Sequence, residues 1–378
     1  MTGLPAIKGS EPTPLIIRPK WSPYDKKHRH HTHRIIDIHQ FRRPDTSVSE
    51  SAFISKFIIP LGVSSDKYGN LYKVIGKEPK ILWSCHTDTV HNKAGIQQVS
   101  IWGQKKLKLA SAEEHSSCLG ADDGAGVWML IELIKAKVPG LYVFHRNEEH
   151  GCKGSKFVLD HHRDVITDLK AAIAFDRRGT RDIITHQCSV RTCSDAFAEA
   201  VAEGLGMGHC PDDGGAFTDT ETYRSVIPEC TNIAAGYDGA HGKGESLDLE
   251  YLINLRSAAL ALKWDKLPIV RDPTKYERKS YYYGGYKKGE HLAPGATSYP
   301  GHAGPQGWEN DYMGHEFDKY TPPSSSKEPT TILEYIKQKP EVVADLLEQW
   351  GMSVKDIKDY VEAANNPLPA PADPAQTG

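Results

Sequence analysis

KILWSCHTD (80–88) joins a near-continuous apolar run to His86, Thr87 and Asp88. Apolar residues at successive rather than alternate positions predict a strand covered on both faces of a sheet. The pattern recurs along the chain. GLYVFH (140–145) leads into RNEEHG (146–151), AAIAF (171–175) into DRRG (176–179), and CTNIAAGY (230–237) into DGAH (238–241). DIITH (182–186) is a fifth strand candidate. Helical patterns lie between them: Val127, Leu130, Ile131 and Ile134 recur at spacings of three and four, and 157–161, 196–205 and 249–262 behave similarly. SDKYGNLYKVIG (65–76) reads as a hairpin or turn with Gly69-Asn70 at its tip. Alternating strands and helices predict an α/β fold, a three-layer α/β/α sandwich with a mostly parallel mixed sheet.

The flanks differ in composition. Residues 1–33 form a basic, His-rich arm running into KKHRHHTHR (26–34), which has no aromatic interleaving and reads as a solvated arm. Residues 34–265 are the expected catalytic domain. A Gly/Pro/Tyr-rich linker follows over 266–330, then a small helical segment over 331–364 and a disordered tail over 365–378. The helical segment would dock on the catalytic domain or reach a partner, and a homo-oligomer is compatible with it.

With 378 residues, 39% hydrophobic and 25% charged, the chain can bury a core. A formal net charge of -3 gives no bias towards nucleic acid, and no apolar run approaches the ~20 residues of a membrane span. Neither kind of partner is expected. The first twenty residues lack the charged-then-apolar plan of a signal peptide. Seven isolated cysteines, an odd number with no CxxC pair, point to reduced thiols and a cytoplasmic location.

In a doubly wound sheet, ligands gather beyond the carboxyl ends of the strands. The polar residues fall there repeatedly: His86 and Asp88, Glu148 and Glu149, Asp176, and His241, with Asp122 and Asp123 opening a helix in LGADDGAG (119–126). Imidazole and carboxylate suit zinc, with cobalt or manganese as alternatives. Asp122, Glu149 and Asp176 carry three negative charges against four positive ones from two divalent ions, leaving one for a bridging hydroxide. Two metals sharing Asp122 at ~3.5–4 Å separation therefore fit better than one. Glu148, beside a ligand, is placed to act as general base on a metal-activated water. Asp88 would hold the other ring nitrogen of His86. Tyr237 is a candidate oxyanion donor. Thr218, Asp219 and Glu221 in GGAFTDTETY (214–223) are candidates for the specificity pocket or a substrate amine.

Taken together, HTD (86–88), GADDGAG (120–126), NEEHG (147–151), FDRRG (175–179) and GYDGAH (236–241) resemble the co-catalytic zinc peptidases of the M20 and M28 families. SVSESAFISKFI (47–58) followed by DKYGNL (66–71) also resembles the clan's helix and first strand pair. The resemblance covers roughly residues 34–265. It implies His86 and Asp176 on one metal, Glu149 and His241 on the other, Asp122 bridging and Glu148 as base. Only residues 177–240 separate Asp176 from His241, too few for the inserted domain of the M20 enzymes, so the compact M28-like aminopeptidases are closer. Gly242-Lys243-Gly244 follows His241 where the family often has Ser or Thr, and His209, His186 and His150 stay open as substitutes. The expected function is a binuclear zinc aminopeptidase acting on peptides. An amidohydrolase or deacylase, a glutaminyl-cyclase-like enzyme, or an inactive scaffold of the same fold are the alternatives.

Overall fold

The computed structural model describes residues 23–103 and 105–278, together with the single positions Pro340 and Lys358. Of the linker expected at 266–330, residues 266–278 are described and pack on the domain, with Arg271 buried and donating to the Ile227 carbonyl at 2.8 Å; its remainder, the segment at 331–364 apart from those two positions, and the tail at 365–378 lie outside the described residues. Residues 23–278 fall within one structural unit.

Eight strands form the main sheet: β1 (Ser64–Ser65), β2 (Leu71–Ile75), β3 (Ile81–His86), β4 (Gly140–His145), β5 (Ala171–Arg177), β6 (Asp182–Ile184), β7 (Cys210–Asp212) and β8 (Glu229–Ala234). Their order is β7-β6-β8-β5-β3-β4-β2-β1. The four central strands, β8, β5, β3 and β4, are mutually parallel, while β2 on β4 and β6 on β8 are antiparallel. Parallel pairing brings the carboxyl ends of the central strands to one edge, with His86 opposite His145.

The apolar runs are central because both faces are covered. Ile81, Trp83 and Cys85 on β3, Tyr142 and Phe144 on β4, and Ile173 and Phe175 on β5 enter one core. Leu82, Leu141, Val143 and Ala172, the intervening residues, enter a second. The first core is closed by helices α1 (Pro23–His39), α2 (Val48–Phe57), α3 (Ala121–Lys135), α6 (Asp195–Leu205) and α8 (Leu249–Ala261). The second is closed by α4 (Lys153–His161), α5 (Arg163–Ile166) and the chain after α7 (Asp219–Thr222). Trp83 anchors the larger core, edge-on to Trp264 at 4.8 Å between ring centroids and stacked with Phe175 at 6.2 Å. The expected three-layer α/β/α sandwich is the observed one. No helix among the described residues is long and apolar enough to cross a membrane.

Two further features depart from the sequence reading. The solvated arm does not extend to residue 33: α1 begins at Pro23, and His31 and Thr32 are buried. His31 packs edge-on to Trp128 of α3 and lies 3.2 Å from Glu132, so packing rather than apolar periodicity holds this helix. A second sheet, absent from the sequence reading, joins Tyr237–Asp238, Ser246–Asp248, Lys106–Leu109 and Val99–Trp102 in that order, all antiparallel. Its first two strands make a hairpin whose loop carries His241.

Candidate metal centre

The strand ends and the His241 hairpin bring His86, Asp122, Glu148, Glu149, Asp176 and His241 together. Asp122 lies between the two histidines. Its Oδ1 is 3.1 Å from His86 Nε2, and its Oδ2 is 3.3 Å from His241 Nε2. His86 Nε2 also lies 3.9 Å from Asp176 Oδ1 and 4.0 Å from Glu148 Oε2, whereas His241 Nε2 is 3.3 Å from Glu149 Oε2. His86, Asp122 and Glu149 each offer a ligand atom within 4.8 Å of the others, as do His86, Asp123 and Asp176. His150, His186 and His209 sit elsewhere: His150 near Asp45, His186 on Thr185, and His209 on the Tyr251 hydroxyl.

Each of these groups is held by neighbours, some of which (Asn232 and Tyr237) also line the cavity. GADDGAG follows from close approach. Gly120 has a left-handed backbone (φ 73), and a Cβ on Gly126 would run into the Asp123 carboxylate. That carboxylate accepts from the backbone N–H of His86 (3.2 Å) and of Gly126 (2.9 Å). The Asp122–Asp123 peptide is cis. Glu245, in the His241 hairpin, accepts from the backbone N–H groups of Leu119, Gly120, Ala121 and Asp122 at 2.8–3.1 Å. It therefore ties the His241 loop to the Asp122 loop and fills the N-terminus of α3 with a negative charge. From the other side Arg43, fully buried, donates to the carbonyls of Thr87 (2.9 Å) and Gly120 (3.1 Å). The amide of Asn232 clamps the backbone of Asp176, accepting from its N–H at 2.8 Å and donating to its carbonyl at 2.7 Å.

Three further expected residues, Asp88, Tyr237 and Asp219, have partners of their own. His86 Nδ1 donates to the backbone carbonyl of Asp88 at 3.0 Å, with the Asp88 carboxylate 3.6 Å away. That carboxylate also accepts from the N–H groups of Glu148 (3.1 Å) and Glu149 (3.2 Å), holding the two backbone positions together. Tyr237, which lines the cavity, gives its hydroxyl proton to Asp176 Oδ1 at 3.1 Å. Asp219 is buried with one oxygen 3.2 Å from His145 Nδ1, and it does not line the cavity, although Thr218 does. Sequence reading missed Arg43, Asn232 and Glu245. The last had a usable signal, an acid four residues beyond His241 in HGKGES (241–246).

The electrostatics ask for cations. Burial, followed by the charge of Asp122 and Asp123, pushes the Asp176 carboxyl well above its ordinary range. Burial also raises Glu148 and Glu149. His86 is drawn down by burial but carried well above its usual value by hydrogen bonds to Asp122 and Asp88, and His241 is raised to about 10 by Asp122 and Glu149. Glu149 Oε1 is buried with no hydrogen-bond partner. Crowded carboxylates, an orphaned buried oxygen and a carboxylate facing two imidazoles fit a pair of divalent ions. The residues open onto a cavity of about 400 Å³, walled on its far side by Ile184, Gly214, Gly215, Ala216 and Phe217.

The sequence matches no protein-family description and no curated protein. Its similarity is with solved structures. The aminopeptidase PepT from Bacillus cereus superimposes on 62% of this chain and 97% of its own, with 16% identity and a TM-score of 0.51. A tripeptidase from Staphylococcus aureus does so on 62% and 97%, with 13% identity and a TM-score of 0.52. The chain shares their fold.

Two outcomes follow from this scaffold. Replacing Glu245 with Gln leaves four N–H groups facing a neutral amide, and metal affinity in chelator competition should fall about 10–100-fold, as for other supporting residues. Unchanged affinity would mean that the 119–122 loop holds itself. His39 and His91 are buried and lowered to about 3, foremost by burial, from an ordinary 6.5. Their contribution to stability is complete above pH 6.5 and is lost as pH falls towards 3, because only the unfolded chain takes up the protons. Urea unfolding should weaken by up to about 1.4 kcal/mol per pH unit for each histidine. A flat profile between pH 7 and 5 would contradict it.

Proposed function

We propose that the chain is a two-metal-dependent aminopeptidase of the compact, M28-like type. His86 and Asp176 would hold one ion, Glu149 and His241 the other, and Asp122 both. The observation that carries this is Asp122, whose two oxygens face different histidines. The shared fold with PepT and the tripeptidase supports it, as does the lack of room for an inserted domain: residues 177–240 supply β6, β7 and β8 of the main sheet together with α6 and α7.

Zinc is the favoured metal, with cobalt or manganese as alternatives. When bound, the two ions would lower the pKa of an attacking water and polarise the scissile carbonyl. The remaining work belongs to the protein. Glu148 takes the proton from the attacking water and returns it to the leaving amine. Its Oε1 accepts from the Cys152 thiol at 3.3 Å, and its backbone is pinned by Asp88, so Oε2 is the oxygen free to act. Burial raises Glu148 and thereby makes it a better proton acceptor once ionised.

Purified protein reconstituted with zinc should bind two equivalents and cleave aminoacyl-arylamides. Glu148→Gln should lower kcat by roughly 10²–10⁴-fold while keeping both metals. Cleavage that survives Glu148→Gln, or a chain that binds no metal and cleaves nothing, would overturn the proposal.

A further inference from the structure

The cavity holds two arginines, in very different situations. Arg177 ends β5 and is occupied: its guanidinium meets Asp182 at 2.8–2.9 Å and lies 3.5 Å from Asp212. Arg178, the next residue, also lines the cavity, yet among the described residues it has no hydrogen bond, ion pair or ring contact. Four carboxylates line the same space, and none of them pairs with it.

The backbone under Arg178 is fixed on both sides. The carbonyl of Arg177 accepts from Ala235 N–H at 2.8 Å, Gly179 N–H donates to the Tyr237 carbonyl at 2.7 Å, and the Gly179 carbonyl accepts from Gly236 N–H at 2.8 Å. The guanidinium is thus carried on a turn laced to the segment that leads to His241, two residues from Asp176. A planar fork of N–H donors on a fixed turn, exposed to solvent and without an internal partner, suits a carboxylate brought by the substrate. A bidentate contact loses less side-chain freedom there than on a mobile loop.

We propose that Arg178 is a specificity-determining residue that binds a substrate carboxylate, so that the preferred substrates are peptides carrying a carboxylate close to the scissile bond. The inference rests on the peptidase reading of the cavity. Two sources share this chemistry: the free C-terminus of a di- or tripeptide, and an acidic side chain near the N-terminus of a longer one. A carboxylate held by Arg178 would orient a peptide in one direction across the site.

The test is calorimetric binding to the zinc-loaded Glu148→Gln chain, with and without Arg178→Ala. The probes are trialanine, trialaninamide, and an amidated tripeptide with a central aspartate. At least one carboxylate-bearing probe should bind about 10–100-fold more tightly than trialaninamide, the range for a charge-assisted hydrogen bond. That ratio should fall to near one in Arg178→Ala. Preference for trialanine identifies the C-terminus as the source, and preference for the aspartyl amide identifies the side chain. A ratio near one before substitution, a ratio that survives Arg178→Ala, or no binding of either carboxylate probe overturns the inference. Turnover of the same peptides by the unsubstituted chain is scored separately. A chain that shows the binding ratio but cleaves none of them refutes the peptidase reading and leaves the assignment of Arg178 standing.

Discussion

Asp122 has one carboxylate and two histidines to face, and that constraint organises the rest of the centre. A carboxylate lying between two imidazoles must be held from behind, because its own side chain faces both ways. The hold comes from Glu245, which gathers four N–H groups of the preceding loop, and from Arg43, which takes the Gly120 carbonyl on the other side. Both supports are buried charged groups, costly to place in a core and kept there by several hydrogen bonds each.

The same logic recurs around the site. Asp88 fixes the backbone of Glu148 and Glu149, Asn232 that of Asp176, and Arg146 pairs with the fully buried Glu50, which also accepts from the Thr87 hydroxyl beside His86 at 2.5 Å. Several side chains facing the cavity are therefore positioned through their backbone, by Asp88 from outside its lining and by Asn232 from within it. Such an arrangement fixes the point from which each of these side chains reaches into the cavity.

Much of this was legible in sequence, for a definite reason. Central parallel strands are buried on both faces, so KILWSC, GLYVFH and AAIAF stand out as apolar runs, and the polar residues that end them share one sheet edge. The short strands at 99–102 and 106–109 carry no such signal, since KLKL alternates like any exposed ribbon. Missing them hid the hairpin that presents His241. Arg43, Asn232 and Glu245 were hidden because their partners are backbone groups far along the chain, up to 126 residues away. Spacing placed Asp88 at the His86 ring, where its carbonyl accepts at 3.0 Å and its carboxylate lies 3.6 Å away, but did not show that the same carboxylate also holds another loop. Basic composition hid the start of α1, where His31 packs on Trp128 and Glu132 ahead of the core residues Ile35 and Ile38.

The central claim is that Asp122 stands between two divalent ions. Anomalous scattering at the zinc edge from crystals of the zinc-loaded chain tests it most directly. Two peaks are predicted, one beside His86 and Asp176 and one beside Glu149 and His241, with Asp122 between them. A single peak, or peaks only along the histidine-rich stretch of α1, would contradict it.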